Sequence, residues 1–157
     1  MPVVLVRHAH ALSRDRWEGE DRDRELSAKG RRQAEMLVPV LESMAPGRIL
    51  SSPFLRCLDT VRPLAAALGR PVESECTLAE GEGRSALSLI DDLASDSPVL
   101  CSHGDVIPEI LAALARRDGL DLGAVPRWEK ASVWVLEPED GTGRFYRATY
   151  LPPPDRG

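Results

Sequence analysis

Apolar residues fall into short unbroken runs at Pro2–Val6, around Ile49-Leu50 within Arg48–Ser51, and at Pro98–Ser102. Lack of alternation marks strands covered on both faces, as in a parallel sheet. Between the runs the period lengthens to that of a helix. Ala34, Leu37, Val38 and Leu41 follow Ser27, a good N-cap, and Pro46-Gly47 supplies a stop. Ser52-Pro53 suits the start of a second helix reaching Leu68, with Gly69 closing it and Pro63 placed to kink it. Further helices are expected over 85–94 and about 105–117, the latter with Ile107, Ile110, Leu111 and Leu114 on one side. Residues 71–75 suggest another strand, 76–84 a turn-rich segment and 118–130 a loop. Residues 131–137 and 144–151 flank Asp140-Gly141-Thr142-Gly143 and predict a terminal hairpin or antiparallel edge. Residues 14–25, RDRWEGEDRDRE, show no apolar period and predict a solvated loop around Trp17.

Strands alternating with helices predict a three-layer α/β/α sandwich with a mostly parallel central sheet and an antiparallel edge strand or C-terminal hairpin. At 157 residues the expectation is one domain over 1–151, with 152–157 an extended Pro-rich tail.

Charge sharpens the picture. Lys+Arg 20 against Asp+Glu 25 gives −5, which argues against broad electrostatic binding to nucleic acid or to an anionic membrane. Any anion site must be local. No run approaches a membrane span or a signal-peptide core, so a cytoplasmic protein is expected. Cys57, Cys76 and Cys101 are odd in number and lack CxxC spacing, which predicts reduced thiols, mostly buried, with no disulfide framework or structural metal. Oligomeric state is open.

Three polar clusters each follow an expected strand: Arg7-His8, Ser51 to Arg56, and His103-Gly104. Ligand sites of open α/β sheets lie beyond the carboxyl ends of strands, so the three clusters converge on one pocket. Two guanidiniums and two imidazoles around a small volume suit a phosphoryl group.

Val6-Arg7-His8-Ala9-His10-Ala11, Leu26-Ser27-Ala28-Lys29-Gly30 with Gln33-Ala34, Ser51-Ser52-Pro53-Phe54-Leu55-Arg56 with Thr60, and Val99 through Gly104 resemble the motifs of the histidine phosphatase superfamily, the phosphoglycerate-mutase-like fold. The likeness spans roughly 2–136 and is greatest to the short SixA-type phosphohistidine phosphatases. The stretch from Arg7 through Pro108 is also similar to the phosphatase domain joined to Nudix hydrolases in some actinobacterial proteins. The resemblance implies that His8 attacks phosphorus and carries a phosphohistidine. Arg7 and Arg56 would hold His8 neutral and, with His103, grip the phosphoryl oxygens, with no metal and no cofactor. Glu80 would serve as acid and then base, with Glu82 the weaker candidate. His10, Ser13 and Trp17 are candidates for the rim, Ser51 and Ser52 for turn and cap, and Gly104 for close backbone approach.

The implied activity is metal-independent hydrolysis of a phosphoprotein or small phosphate ester. A phosphomutase is the alternative, disfavoured because the chain leaves little room for a closing segment. A noncatalytic phosphoryl-binding domain is a third reading, disfavoured by retention of Arg7, His8, Arg56 and His103. One departure stands out: Arg24-Glu25-Leu26 where many relatives have Arg-Pro-Leu.

Overall fold

The computed structural model describes residues 1–156, with the backbone alone at 83 and 84. Its strands are β1 (Val3–Arg7), β2 (Arg48–Ser51), β3 (Val72–Ser74), β4 (Pro98–Ser102), β5 (Val133–Pro138) and β6 (Phe145–Leu151). The helices are α1 (Ala28–Glu42), α2 (Leu55–Leu68), α3 (Gly83–Leu93) and α4 (Val106–Asp118). One six-stranded sheet runs in the order β3-β2-β4-β1-β5-β6. The first four are mutually parallel, β5 lies antiparallel to β1, and β6 closes the hairpin. This is the expected α/β fold, with the antiparallel part made of both terminal strands.

The unbroken apolar runs are explained by what covers the sheet. Along β1, Val3 and Leu5 join Leu100 on one face beneath Ile90 of α3 and Ile107, Ile110 and Leu114 of α4. Val4 and Val6 join Ile49 and Val99 on the other, beneath Leu37 and Leu41 of α1 and Val61 and Leu64 of α2. Both sides of each central strand are buried, and each such side chain contributes about 1.5–3 kcal/mol. Register then fixes the edge where chemistry collects: Arg7 pairs with Ser102, and Ser51 with Cys101. The carboxyl ends of β1, β2 and β4 therefore finish side by side.

Helix boundaries shift for identifiable reasons. Ser27 caps α1 as expected, its hydroxyl accepting the Gly30 N–H at 3.0 Å. The helix stops at Glu42, ahead of Pro46-Gly47, and the chain leaves it through Ala45 in a left-handed conformation (φ 49°). Helix α2 begins at Leu55, later than Ser52-Pro53 suggests. The Ser52 hydroxyl accepts the Phe54 N–H at 3.3 Å, as a turn residue ahead of the helix does, and also bonds His103. Past Pro63 the helix continues to Leu68 and ends on Gly69 at φ 63°.

Two segments expected to be irregular are tied down. Within 14–25, Asp21–Asp23 form a 3-10 turn, Ala11 bridges to Leu26, and Arg24 is 6% exposed. Arg24 reaches Asp21 and the Leu12 carbonyl, so the segment is only partly solvated. The tail is not extended either: Pro154–Arg156 form a 3-10 turn, the Gln33 amide donates to Asp155 at 3.1 Å, and Arg156 pairs with Glu129. No helix among the described residues is long and apolar enough to cross a membrane.

Candidate active site

His8 is the first residue past β1. Its N–H donates to the Ser102 carbonyl at 3.0 Å, and the following Ala9 N–H donates to Thr60 Oγ1 at 2.9 Å, so strand β4 and helix α2 both hold it. His8 Nδ1 lies 2.9 Å from the Ala9 carbonyl, an acceptor only. The ring proton must therefore sit on Nδ1, which leaves the lone pair on Nε2. The pKa of His8 is held well below 6.5, first by burial, then by the charges of His103, Arg56 and Arg7. The sequence argument credited the arginines; burial is the larger cause.

Arg7 donates from Nη1 to the Trp128 carbonyl at 2.9 Å, and its buried Nε–H has no partner. Gly104 packs against the guanidinium so closely that a Cβ there would fall 2.7 Å from Cζ. Arg56 is fully buried. It donates from Nη1 to the Asp21 carbonyl at 3.0 Å and from Nη2 to Asp21 Oδ2 at 3.3 Å and Glu80 Oε1 at 3.5 Å, while its Nε–H is unpartnered. The Phe54 ring lies 5.0 Å from its Cζ. His103 bonds through Nε2 to Ser52 Oγ at 2.8 Å, and its ring centroid is 5.6 Å from that of His8.

A cleft of about 640 Å³ opens over this edge. Arg7, His8, His10, Ser13, Glu80 and Gly104 line it, whereas Arg56 and His103 lie behind, closed off by the fold. Trp17 borders a neighbouring depression with Asp21 and Glu80. Glu82 is exposed at the start of α3 and does not line the cleft. Arg14 and Arg24 of the charged 14–25 loop also line it, together with Asp105, Trp128 and Lys130, which sequence reasoning missed. That reasoning also missed Asp21, which meets Arg56, Arg24 at 3.0 Å and Arg14 at 3.6 Å. The run of charge over 14–25 was the available signal, because so dense a run beside a cation site has a partner to find. Among the described residues, no group of three or more His, Cys, Asp or Glu is placed to hold a metal ion.

A family model described as histidine phosphatase superfamily (branch 1) matches residues 3–86. The chain belongs to the histidine phosphatase superfamily. Over 159 residues it is 33% identical to the 8-oxo-(d)GTP phosphatase of Mycolicibacterium smegmatis, covering 98% of this chain and 48% of that protein. It thus spans about half the length of this curated relative. Among solved structures, the protein histidine phosphatase SixA complexed with tungstate superposes with a TM-score of 0.76 at 21% identity, over 99% of both chains. A mycobacterial glucosyl-3-phosphoglycerate phosphatase gives 0.70 at 21% identity, over 95% of this chain and 96% of the other. At such identities these likenesses establish the fold. The stretch matched by the family model holds Arg7, His8, Arg56 and Glu80; His103 lies beyond it and reaches the site through the pairing of β4 with β1 and β2.

Proposed function

We propose that this chain is a phosphatase that works through a phosphohistidine on His8. One observation carries the reading: the unprotonated Nε2 of a buried, neutral imidazole shares a closed corner with two guanidiniums, each holding a buried Nε–H without a partner. Buried donors are almost always satisfied, so two orphans beside a nucleophile call for an anionic ligand. A phosphoryl group supplies the acceptor oxygens.

In the first step the His8 Nε2 lone pair attacks phosphorus in line, the N–P bond forms and the bond to the leaving oxygen breaks. Arg7 meets the phosphoryl oxygens from the cleft wall while Arg56 and His103 add their field from behind it, and preorganised charge of this kind is the main source of acceleration. Glu80, a carboxylate held between Arg56 and Arg14 at the cleft, relays a proton taken up from solvent to the leaving oxygen. In the second step it takes a proton from water, whose oxygen attacks phosphorus and breaks the N–P bond; acid-base assistance is worth about 10²–10⁴-fold. Arginine charge serves where other enzymes use a cation, so turnover persists in EDTA.

The cleft volume matches that of sites for small molecules, which favours a small phosphorylated molecule over a bare phosphohistidine side chain. The name of the curated relative supports a nucleotide-like leaving group. The test is a quench during turnover of p-nitrophenyl phosphate: an acid-labile, base-stable phosphoryl group on His8, lost in His8→Asn. Glu80→Gln should slow esters with poor leaving groups far more than p-nitrophenyl phosphate. Absence of both turnover and His8 phosphorylation overturns the proposal.

A further inference from the structure

The transferred phosphoryl group accounts for Arg7 and Arg56. Lys130, one of only two lysines in the chain, is left over. It is half-buried in the wall of the cleft, and among the described residues it makes no ion pair and no side-chain hydrogen bond. The carboxylates around it are committed elsewhere. Asp21 and Glu80 hold Arg14, Arg24 and Arg56, and Asp105 accepts the Gly81 N–H at 2.8 Å. Burial and the charges of Arg7, Arg24, Arg56 and Arg14 together lower the pKa of Lys130. An unpaired ammonium among arginines is costly unless a ligand brings negative charge to it.

The backbone holds the lysine there. The Ala131 N–H points at the carbonyls of both Arg7 and His8, each at 3.1 Å, and the Arg7 N–H donates to Ser132 at 3.1 Å. Ala131 adopts φ 65°, an uncommon conformation for a residue with a side chain. Lys130 is thus bolted to the nucleophile's own strand end and cannot drift from the cleft as a loop lysine would. His10 lines the same cleft, yet it does not compete for an anion. Its Nδ1 is engaged by Ser27 Oγ at 2.6 Å, whichever of the two donates when the ring is neutral. Burial, then Lys130 and Lys29, favour that neutral form.

We infer that Lys130 forms a second anion subsite beside the phosphoryl pocket, so that the preferred substrate carries a further negative group next to the phosphoryl it gives up, as a phosphoanhydride does. This rests on the catalytic reading above and specifies its substrate class. Lys130 is then a specificity residue: it holds the leaving side of the substrate, not the group that moves.

The test compares two inert phosphonates by calorimetric titration, methylphosphonate with one anionic group and methylenediphosphonate with two. A charge-assisted hydrogen bond at the second group predicts that the unaltered protein binds the diphosphonate at least about tenfold more tightly. In Lys130→Met that preference falls to about twofold or less, and Lys130→Arg restores most of it, which a folding defect would not allow. Equal affinities in the unaltered protein, or a loss of the same factor for both ligands in Lys130→Met, overturn the subsite. The second result would mean that Lys130 grips the transferred phosphoryl itself. Binding does not depend on turnover, so an intact preference without His8 phosphorylation would sink the catalytic reading and leave the subsite standing.

Discussion

Gly104→Ala places one methyl group against the side chain that positions the phosphoryl group. Gly104 does not use a positive φ, so alanine suits its backbone and any effect must come from the contact. The new Cβ would lie 2.7 Å from Arg7 Cζ, 2.8 Å from Nη2 and 3.0 Å from Nε. Comfortable separation is about 3.5–4.0 Å, so the guanidinium has to retreat by about 1 Å. The Trp128 carbonyl holds its Nη1 at 2.9 Å and the strand holds its backbone, so the retreat swings the unpaired Nε–H away from its working position. A misplacement of that size costs on the order of 10²-fold in rate. The fold loses little, because the guanidinium can move into the open cleft. The expected outcome is a fall of about 100-fold in kcat/KM for p-nitrophenyl phosphate, with Tm within about 3 °C of the parent. In an Arg7→Ala background the same substitution should add almost nothing, since the group it displaces is gone. A Gly104→Ala enzyme that keeps more than a third of its kcat/KM, or whose loss multiplies in full with that of Arg7→Ala, would refute this account.

Three other outcomes follow from the same geometry. Because burial holds the pKa of His8 below 6.5, the unfolded chain binds a proton near that pH that the folded one refuses. Stability from this source is complete above about pH 6.5 and falls as pH drops, at up to about 1.4 kcal/mol per unit; urea midpoints at pH 7 and 5.5 should differ less in His8→Asn than in the parent. Asp21 acts in the same direction over a lower pH range. Burial alone would raise its pKa, but the Arg24 hydrogen bond and the charges of Arg56, Arg24 and Arg14 lower it, so its stabilisation is present above the ordinary carboxylate range and lost as pH falls through the lowered value. After allowance for solvent screening, Asp21→Asn should cost about 1 kcal/mol at pH 7 and nothing in strong acid, read from denaturant titrations. Gly30→Ala puts a Cβ 1.9 Å from the His10 carbonyl oxygen, which is backbone and cannot turn aside. The usual helical gain of about 1 kcal/mol for this exchange is reversed to a net loss of about 2–3 kcal/mol, visible as a lowered Tm.

Much of the fold was legible because its signals are local. Val3 to Val6, Ile49-Leu50 and Val99 to Cys101 announce buried strands on their own, and a parallel sheet then brings Arg7, His8, Arg56 and His103 to one edge without further information. Less legible was whatever depends on a distant partner. Ser52 looks like a turn and cap residue and also bonds His103, which nothing local shows; residues 14–25 look solvated because nothing local shows that Asp21 meets Arg56; the prolines of the tail conceal Asp155, which meets Gln33. Nothing local marks Lys130 as part of the site. Its meaning needs the Ala131 bonds to Arg7 and His8, which join ends of the chain more than 120 residues apart.

The two arginines show why these distant partners belong to the chemistry. Each guanidinium is anchored by a loop, Arg7 through Nη1 to the Trp128 carbonyl and Arg56 through both terminal nitrogens to Asp21, while each Nε–H stays buried and unpaired. Strand ends and helix starts bring the cations near the nucleophile, but the loops choose which edge of each guanidinium remains free. A buried cation without such holders would pair with the nearest backbone carbonyl and lose the donor that a phosphoryl oxygen needs. Carboxylates beside an anion site are therefore not misplaced charge. Asp21 and Glu80 lower the cost of burying Arg56 and leave it oriented, so binding a phosphoryl group completes a hydrogen-bond set already arranged and requires no reorganisation during the reaction.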